Sequence, residues 1–238
     1  MLRAAPVRAC GALRPKEEAA LFVGHFGLGL AGKRIAPGVS LGTLFLSVQL
    51  ADALWPIFLL AGIEHVQIVP NLMHASHLNF RDYPVSHSLL ALCAWGVLLG
   101  AVYFLARRSL AGSLALAAGV VSHWVLDFVT HRPDMPVLPR GPYAGLGLWN
   151  SLPGTIAVEG GLYTLGIAAY ARVTRARDAT GAWALWSLLV LLVALWLAAL
   201  LGPPPPSERI LAWSALSGWL VVLWGYWIDR HRALVSES

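Results

Sequence analysis

The stretch Val121-Ser-His-Trp-Val-Leu-Asp-Phe-Val-Thr-His131 is largely apolar, but it places ionisable side chains at every fourth position: His123, Asp127 and His131. On an α-helix this spacing puts the three side chains on one stripe, about 6 Å apart along the axis. The stretch is hydrophobic enough for a bilayer, where ionisable groups are costly unless they are paired, hydrated or bound. Imidazoles and carboxylates are good ligands for a divalent transition metal. The stretch therefore predicts a membrane helix that carries a binding site.

The whole chain has the composition of a multi-pass membrane protein. Of its 238 residues, 58% are hydrophobic and 12% are charged, and the mean hydropathy is +0.66. An ordinary soluble domain carries about 25% charged residues. We therefore predict an all-α bundle of six or seven transmembrane helices. Cys10 and Cys93 are far apart and predict neither a disulfide framework nor a CxxC metal pair.

Six segments are long and apolar enough to cross about 30 Å of hydrocarbon. They are residues 39–62, 86–106, 110–130, 154–172, 182–201 and 209–228. Residues 17–33 form a shorter candidate that is rich in glycine, which permits close approach to a neighbouring helix. Residues 1–16 predict a disordered basic tail and not a cleavable signal peptide, because they lack a continuous apolar run. We expect residues 17–172 to form the metal-site bundle and residues 173–238 to form a structural pair of helices.

The distribution of basic residues predicts the topology. Connections rich in Arg and Lys alternate with connections in which acids offset the few basic residues, and the basic set is expected to face the cytoplasm. The loops 63–85 and 131–153 then lie outside, and the C-terminus lies inside. The excess of 17 Lys and Arg over 12 Asp and Glu is explained by this topology, and we predict no nucleic-acid partner.

Ionisable side chains of five segments are predicted to converge in the outer half of the bundle. They are His25, Asp52, His87, His123, Asp127, His131 and Glu159. Each has a simpler interpretation when taken alone. A single intramembrane histidine is often a hydrogen-bonded packing residue, Asp52 could cap or kink a helix before Pro56, and Ser86 with His87 could cap a helix. The simpler interpretations would all have to be true at the same time to explain why these groups have matching depths. One shared metal or catalytic site explains them together, and we favour it for this reason.

Two stretches also resemble a known family. Tyr83-Pro-Val-Ser-His-Ser-Leu-Leu90 and Ser122-His-Trp-Val-Leu-Asp127 resemble motifs of the bacterial inner-membrane metal-dependent hydrolases of the LexA-regulated type, over about residues 17–172. The resemblance implies that the metal-site residues are His25, Asp52, His87, His123 and Asp127. The chain departs from the family's usual Pro-Asp-x-Asp pattern, because Asp52 stands there as a single acid.

The residues and the resemblance together predict a membrane-embedded metal-dependent hydrolase of the bacterial inner membrane. Its metal is expected to be zinc, with manganese or iron as alternatives. Asp52 or Glu159 would act as general base or orient a ligand, and His131 would join the ligands. The substrate would be a lipid-linked or membrane-proximal ester, phosphoester or amide. The alternatives are an ion- or proton-coupled transporter and a structural membrane protein. The sequence does not determine the oligomeric state.

Overall fold

A computed structural model describes residues 23–235, which are mostly helical. The helices are α1 Val23–Ile35, α2 Leu41–Val48, α3 Leu50–Leu60, α4 Pro84–His87, α5 Leu89–Arg107, α6 Leu110–Thr130, α7 Leu152–Val173, α8 Ala179–Leu201, α9 Glu208–Ala215 and α10 Gly218–Arg230. The strands are β1 His65–Met73, β2 Ser76–Asp82, β3 Met135–Pro136, β4 Tyr143–Ala144, β5 Thr174–Ala176 and β6 Arg232–Leu234. The basic tail predicted for residues 1–16 lies outside the described residues.

Four segments of the described chain are long and apolar enough to cross a membrane: α5, α6, α8 and the combined segment Glu208–Arg230. The bent pair α2–α3 makes a fifth span if it is counted as one, with an angle of 59° between its halves. The protein is thus a multi-pass helical membrane protein, while the predicted count of six or seven spans is not confirmed. Helix α7 has 22 residues, but its glycines, threonines and Glu159 reduce its mean hydropathy, and it is not among these candidate spans.

Helices α1 and α7 pack backbone to backbone through glycines. A Cβ atom placed on Gly27 would lie 2.6 Å from the carbonyl oxygen of Leu162, and one placed on Gly166 would overlap the Gly27 carbonyl. Small residues allow such close approach between membrane helices. The contact holds the short helix α1 inside the bundle, and with it His25, which is 1% exposed.

The helix break between α2 and α3 falls at Gln49, shortly before Asp52. Pro56 itself lies inside α3. The break places Asp52 in the first turn of α3. It also brings the carbonyl of Val48, the last residue of α2, next to α6.

The two loops predicted to face outside contain short elements that the helical pattern did not predict. Strands β1 and β2 form an antiparallel hairpin with an irregular register between Ile68 and Met73. The second loop holds the antiparallel pair β3–β4 and a 3₁₀ helix at Leu148–Asn150. Aromatic side chains of both loops pack together, among them Phe80 and Trp149. These loops form the cover of the end of the bundle that contains the ionisable side chains.

The predicted cytoplasmic connections gather at the opposite end. Strand β5, which follows α7, pairs with β6, which follows α10. Lys33 at the end of α1 lies 3.3 Å from the carboxylate of Asp229 and donates to the carbonyl of Val39 at 2.8 Å. The basic ends of these helices therefore share one end of the molecule, as the alternating charges require. Which side of the membrane this end faces stays a prediction.

Candidate metal centre

Five of the seven predicted site residues meet in one buried cluster. Within each of two groups of three residues, the potential ligand atoms lie within 4.8 Å of one another, and both groups include His123. The groups are His25, Asp52 and His123, and His87, His123 and Asp127. The three imidazoles and Asp127 are almost fully buried, while the side chain of Asp52 keeps 37% of its exposure. We refer to these five residues as the His/Asp cluster.

Asp127 joins two of the imidazoles. Its Oδ1 atom lies 3.2 Å from Nε2 of His25, and its Oδ2 atom lies 3.2 Å from Nε2 of His123. Asp52 approaches from the other side, with Oδ1 at 3.5 Å from Nε2 of His87 and 3.8 Å from Nε2 of His123. Nε2 of His87 lies 3.9 Å from Oδ2 of Asp127. The nitrogen and oxygen atoms therefore face a common centre.

A backbone carbonyl orients His123. Its Nδ1 atom lies 2.8 Å from the carbonyl oxygen of Val48, and a carbonyl oxygen can only accept, so Nδ1 carries the hydrogen. In the neutral ring the lone pair is then on Nε2, which faces Asp127 and Asp52. This is the usual arrangement of a metal-ligating histidine, whose other nitrogen donates to an oxygen. The break at Gln49 thus contributes to the site.

A buried carboxylate orients His87 through a serine. The Ser86 hydroxyl donates to Oε2 of Glu64 at 2.6 Å and lies 2.6 Å from Nδ1 of His87. Because this hydroxyl hydrogen is used by Glu64, Ser86 accepts from Nδ1–H, and the lone pair of His87 is on Nε2. Oε1 of Glu64 accepts from the backbone amides of Val85 and Ser86 at 2.7 and 2.8 Å. Glu64 therefore fixes both the short helix α4 and the tautomer of His87.

Sequence reasoning missed Glu64. The residue lies in the predicted loop 63–85, and in the topology prediction it is one of the acidic residues that offset the few basic residues of the outer loops. It is 22 residues from Ser86 and is 1% exposed. A single acidic residue in a loop is not part of a regular spacing that would link it to another site residue. Its contact with Ser86 and His87 is therefore seen only in the folded structure.

His131 occupies a neighbouring position, outside both groups of potential ligands. Its Nδ1 atom lies 3.0 Å from Oδ1 of Asp134. The second carboxylate oxygen of Asp134, Oδ2, accepts a hydrogen bond from Arg132 Nε at 2.8 Å. Its ring packs on Trp149 with centroids 4.2 Å apart. The Tyr83 hydroxyl donates to the backbone oxygen of Asp134 at 2.9 Å, and burial raises the pKa of Tyr83 well above its ordinary value. These contacts fix the ring of His131, which lines the cavity beside the cluster. Its role as a metal ligand stays a prediction.

Glu159 is buried on α7 against α1. A Cβ atom on Gly24 would lie 3.7 Å from Cγ of Glu159. Within residues 23–235 neither group of potential ligands includes Glu159. Its role as a general base also stays a prediction.

The His/Asp cluster forms part of the wall of a cavity of about 350 Å³. The polar residues that line it are His25, Asp52, His87, Asp127 and His131. The lining also includes residues of α8, α9 and α10, among them Leu195, Leu211, Val221 and Val222. Residues of the predicted C-terminal pair of helices therefore contribute apolar side chains to the cavity wall, while the division at residue 172 stays a prediction.

The donor set fits a divalent transition metal. It offers three imidazoles and two carboxylates, which suit zinc and also iron or manganese. His87 and His123 have their ring lone pairs turned towards the centre, and Nδ1 of His25 is a buried atom with no hydrogen-bond partner among the described residues. Buried carboxylates are costly unless they are paired or coordinate a metal. The residues that would hold the metal are those of the His/Asp cluster.

Comparison with known proteins places the site in a matched family region. The family model described as YdjM inner membrane protein matches residues 22–203. No curated protein and no solved structure matches the chain. The matched range contains α1 to α8 and with them the whole His/Asp cluster.

Proposed function

The chain belongs to the YdjM inner membrane protein family, and from this membership and its buried site we propose that it is a membrane-embedded metal-dependent hydrolase. One observation carries the proposal: five nitrogen and oxygen ligands from α1, α3, α4 and α6 face a common centre beside a cavity. Proposed substrates are lipid-linked or membrane-proximal esters, phosphoesters or amides. Zinc is the proposed metal, held in a bacterial inner-membrane protein of six or seven spans.

A divalent metal held by these residues, with an open coordination position, would supply Lewis acidity that lowers the pKa of a bound water to about 7. His87 and His123 each hold one ring nitrogen towards the centre, because Ser86 and Val48 accept from the other. Asp127 contacts two imidazoles and fixes their separation. The protein thus supplies a preformed ligand set, which is the first requirement of this chemistry.

Asp52 is the proposed general base. Its carboxylate is the most exposed group of the cluster and lies on the cavity wall, where a substrate and water would meet it. Glu159 is packed between α7 and α1, so we propose a structural role for it. A general base must lie within hydrogen-bond reach of the proton that it removes, and this requirement favours Asp52.

The decisive experiment measures metal and activity on the same samples. Purified wild type is expected to contain close to stoichiometric zinc, manganese or iron by mass spectrometry, and His123→Ala is expected to lose it while keeping its circular dichroism spectrum. His65→Ala is the control, because this histidine lies in the hairpin with 63% of its side chain exposed. The rate of hydrolysis of an ester, phosphoester or amide substrate should increase with the metal content of the sample. A folded wild type that is metal-free and cannot be loaded with these ions would contradict the proposal and favour a transporter.

A further inference from the structure

The cavity beside the His/Asp cluster has two unlike walls. Part of its wall is polar and carries His25, Asp52, His87, Asp127 and His131, whereas another part carries aliphatic side chains of α8, α9 and α10. The floor near α10 is buried, with Val221 and Val222 at 7% and 4% exposure. An all-polar substrate would leave the aliphatic wall without a partner. The cavity therefore fits a molecule that is polar at one end and apolar at the other.

The mouth of the cavity lies on a face that would contact lipid. Leu195 lines the cavity and is 44% exposed, and its neighbour one turn later, Ala199, lines it and is also exposed. Both belong to α8, which has a mean hydropathy of 2.6, the highest of the candidate spans. Across the mouth, Ser214 and Ser217 at the junction of α9 and α10 are exposed rim residues. An exposed face on so apolar a span is adjacent to hydrocarbon when the protein is in a bilayer.

The depth of the mouth agrees with this placement. Ala199 lies two residues before the end of α8 at Leu201, so it is about 3 Å from the end of the helix along the axis. Leu195 lies about 9 Å from that end by the same rise. The mouth is thus at the level of the upper part of the acyl chains, just beneath the polar head groups.

We propose that the substrate of this site is a membrane lipid, which enters sideways from the bilayer between α8 and the α9–α10 junction. One aliphatic chain lies along Leu195, Leu211 and Val222, and the bond next to the polar head reaches the His/Asp cluster. The volume of about 350 Å³ is at the lower end of the range for ligand pockets, which suits one chain. This inference rests on the proposed function and adds the substrate class and the route.

The probe is palmitate that carries a diazirine at mid-chain, incorporated into nanodiscs of palmitoyl-oleoyl-phosphatidylglycerol with the full chain. After irradiation, mass spectrometry maps the labelled residues as the mole fraction of probe increases. Lipid at the outer surface should label exposed side chains in proportion to the probe. Labelling of the cavity-lining residues Leu211, Val221 and Val222, which are not exposed, should instead saturate, because the cavity holds a limited number of probe molecules.

Two neighbouring alanines give a matched pair of variants. The ring of Ala199→Phe would occupy the mouth, so a lipid chain could enter only by overpacking it. Overpacking usually costs about 1–3 kcal/mol, and we therefore expect the saturable labelling to decrease by about tenfold. Ala198→Phe adds the same ring to an exposed position that does not line the cavity, and should label like the wild type. Ser214→Phe closes the opposite rim and serves if Ala199→Phe fails to fold.

Metal content measured on the same samples separates this inference from the proposed function. A metal-loaded wild type in which the labelling of Leu211, Val221 and Val222 never saturates would overturn the lipid route and leave the hydrolase proposal intact. Equal labelling of the Ala199→Phe and Ala198→Phe variants would overturn it as well. Saturable labelling that is lost only in the variants that fill the mouth would support it, whatever bond is cleaved.

Discussion

The imidazole rings of His25 and His123 stack face to face, with centroids 4.0 Å apart and planes 8° from parallel. One ring comes from α1 and the other from α6, and the two oxygens of Asp127 each contact one of them. The stack aligns two ligand nitrogens next to one carboxylate. Asp127 is thus the residue on which the geometry of the cluster depends most.

We expect Asp127→Asn to abolish stoichiometric metal binding. The amide has nearly the same volume, but it loses the charge and replaces one acceptor oxygen with a donor, so a metal in the cluster would lose its anionic ligand from α6. Changes to groups that only support ligands cost about 10- to 100-fold in metal affinity, and loss of a ligand should cost at least as much. Isothermal titration of the metal-free protein with zinc measures the effect. Asp82→Asn is the control, because this side chain is 57% exposed at the end of the hairpin, and equal affinities of both variants would refute the role of Asp127.

Glu64→Gln should weaken metal binding through the tautomer of His87. The new amide group would donate to Ser86 Oγ where the carboxylate accepted, so the Ser86 hydroxyl hydrogen would turn to Nδ1 of His87. Nε2 would then carry the ring hydrogen and could not be a ligand. We expect a loss of about 10- to 100-fold in zinc affinity.

A double-mutant cycle checks that Glu64 acts through Ser86. In Ser86→Ala the ring is free to choose its tautomer, so the further change Glu64→Gln should have little additional effect on zinc affinity. Full additivity of the two losses would contradict the relay. A general loss of folding would appear in the circular dichroism spectrum of the same samples.

Gly27→Ala should destabilise the bundle by about 1–3 kcal/mol, the usual cost of overpacking. Its Cβ would lie 2.6 Å from the backbone oxygen of Leu162, so α1 and α7 would have to separate. Gly24→Ala is the matched control one turn earlier, because its Cβ would lie 3.7 Å from the nearest side chain. Unfolding in mixed micelles measures both free energies. Equal stability of the two variants would mean that the close α1–α7 contact does not exist in the membrane.

Reporter fusions test the predicted topology. A fusion after Arg232 should report the cytoplasm, and a fusion within residues 134–148 should report the outside, because the basic connections gather at the end of the molecule that contains β5 and β6. The cavity would then open into the outer leaflet. The same side for both fusions would contradict the predicted arrangement.

The helical part of the fold could be predicted from the sequence with good accuracy. The segment 110–130 coincides with α6, and the segments 86–106 and 182–201 agree with α5 and α8 to within three residues. These spans are recognised because continuous hydropathy over about 20 residues is a local property. The hairpin β1–β2 was not predicted, since a strand within an irregular loop, interrupted by Pro70, has no clear alternation of apolar and polar residues.

By itself, the sequence determined the membrane class, the main apolar helices and the chemical identity of the ligands, because hydropathy and residue type belong to single segments. Only the tertiary structure decided which groups share a centre. It brought five residues together, left His131 and Glu159 outside the two groups of potential ligands, placed Glu64 behind His87, and made residues of α8 to α10 part of the cavity wall. Distances of 3–4 Å between separate helices depend on how their side chains and glycine contacts interlock, and no spacing along one segment encodes them.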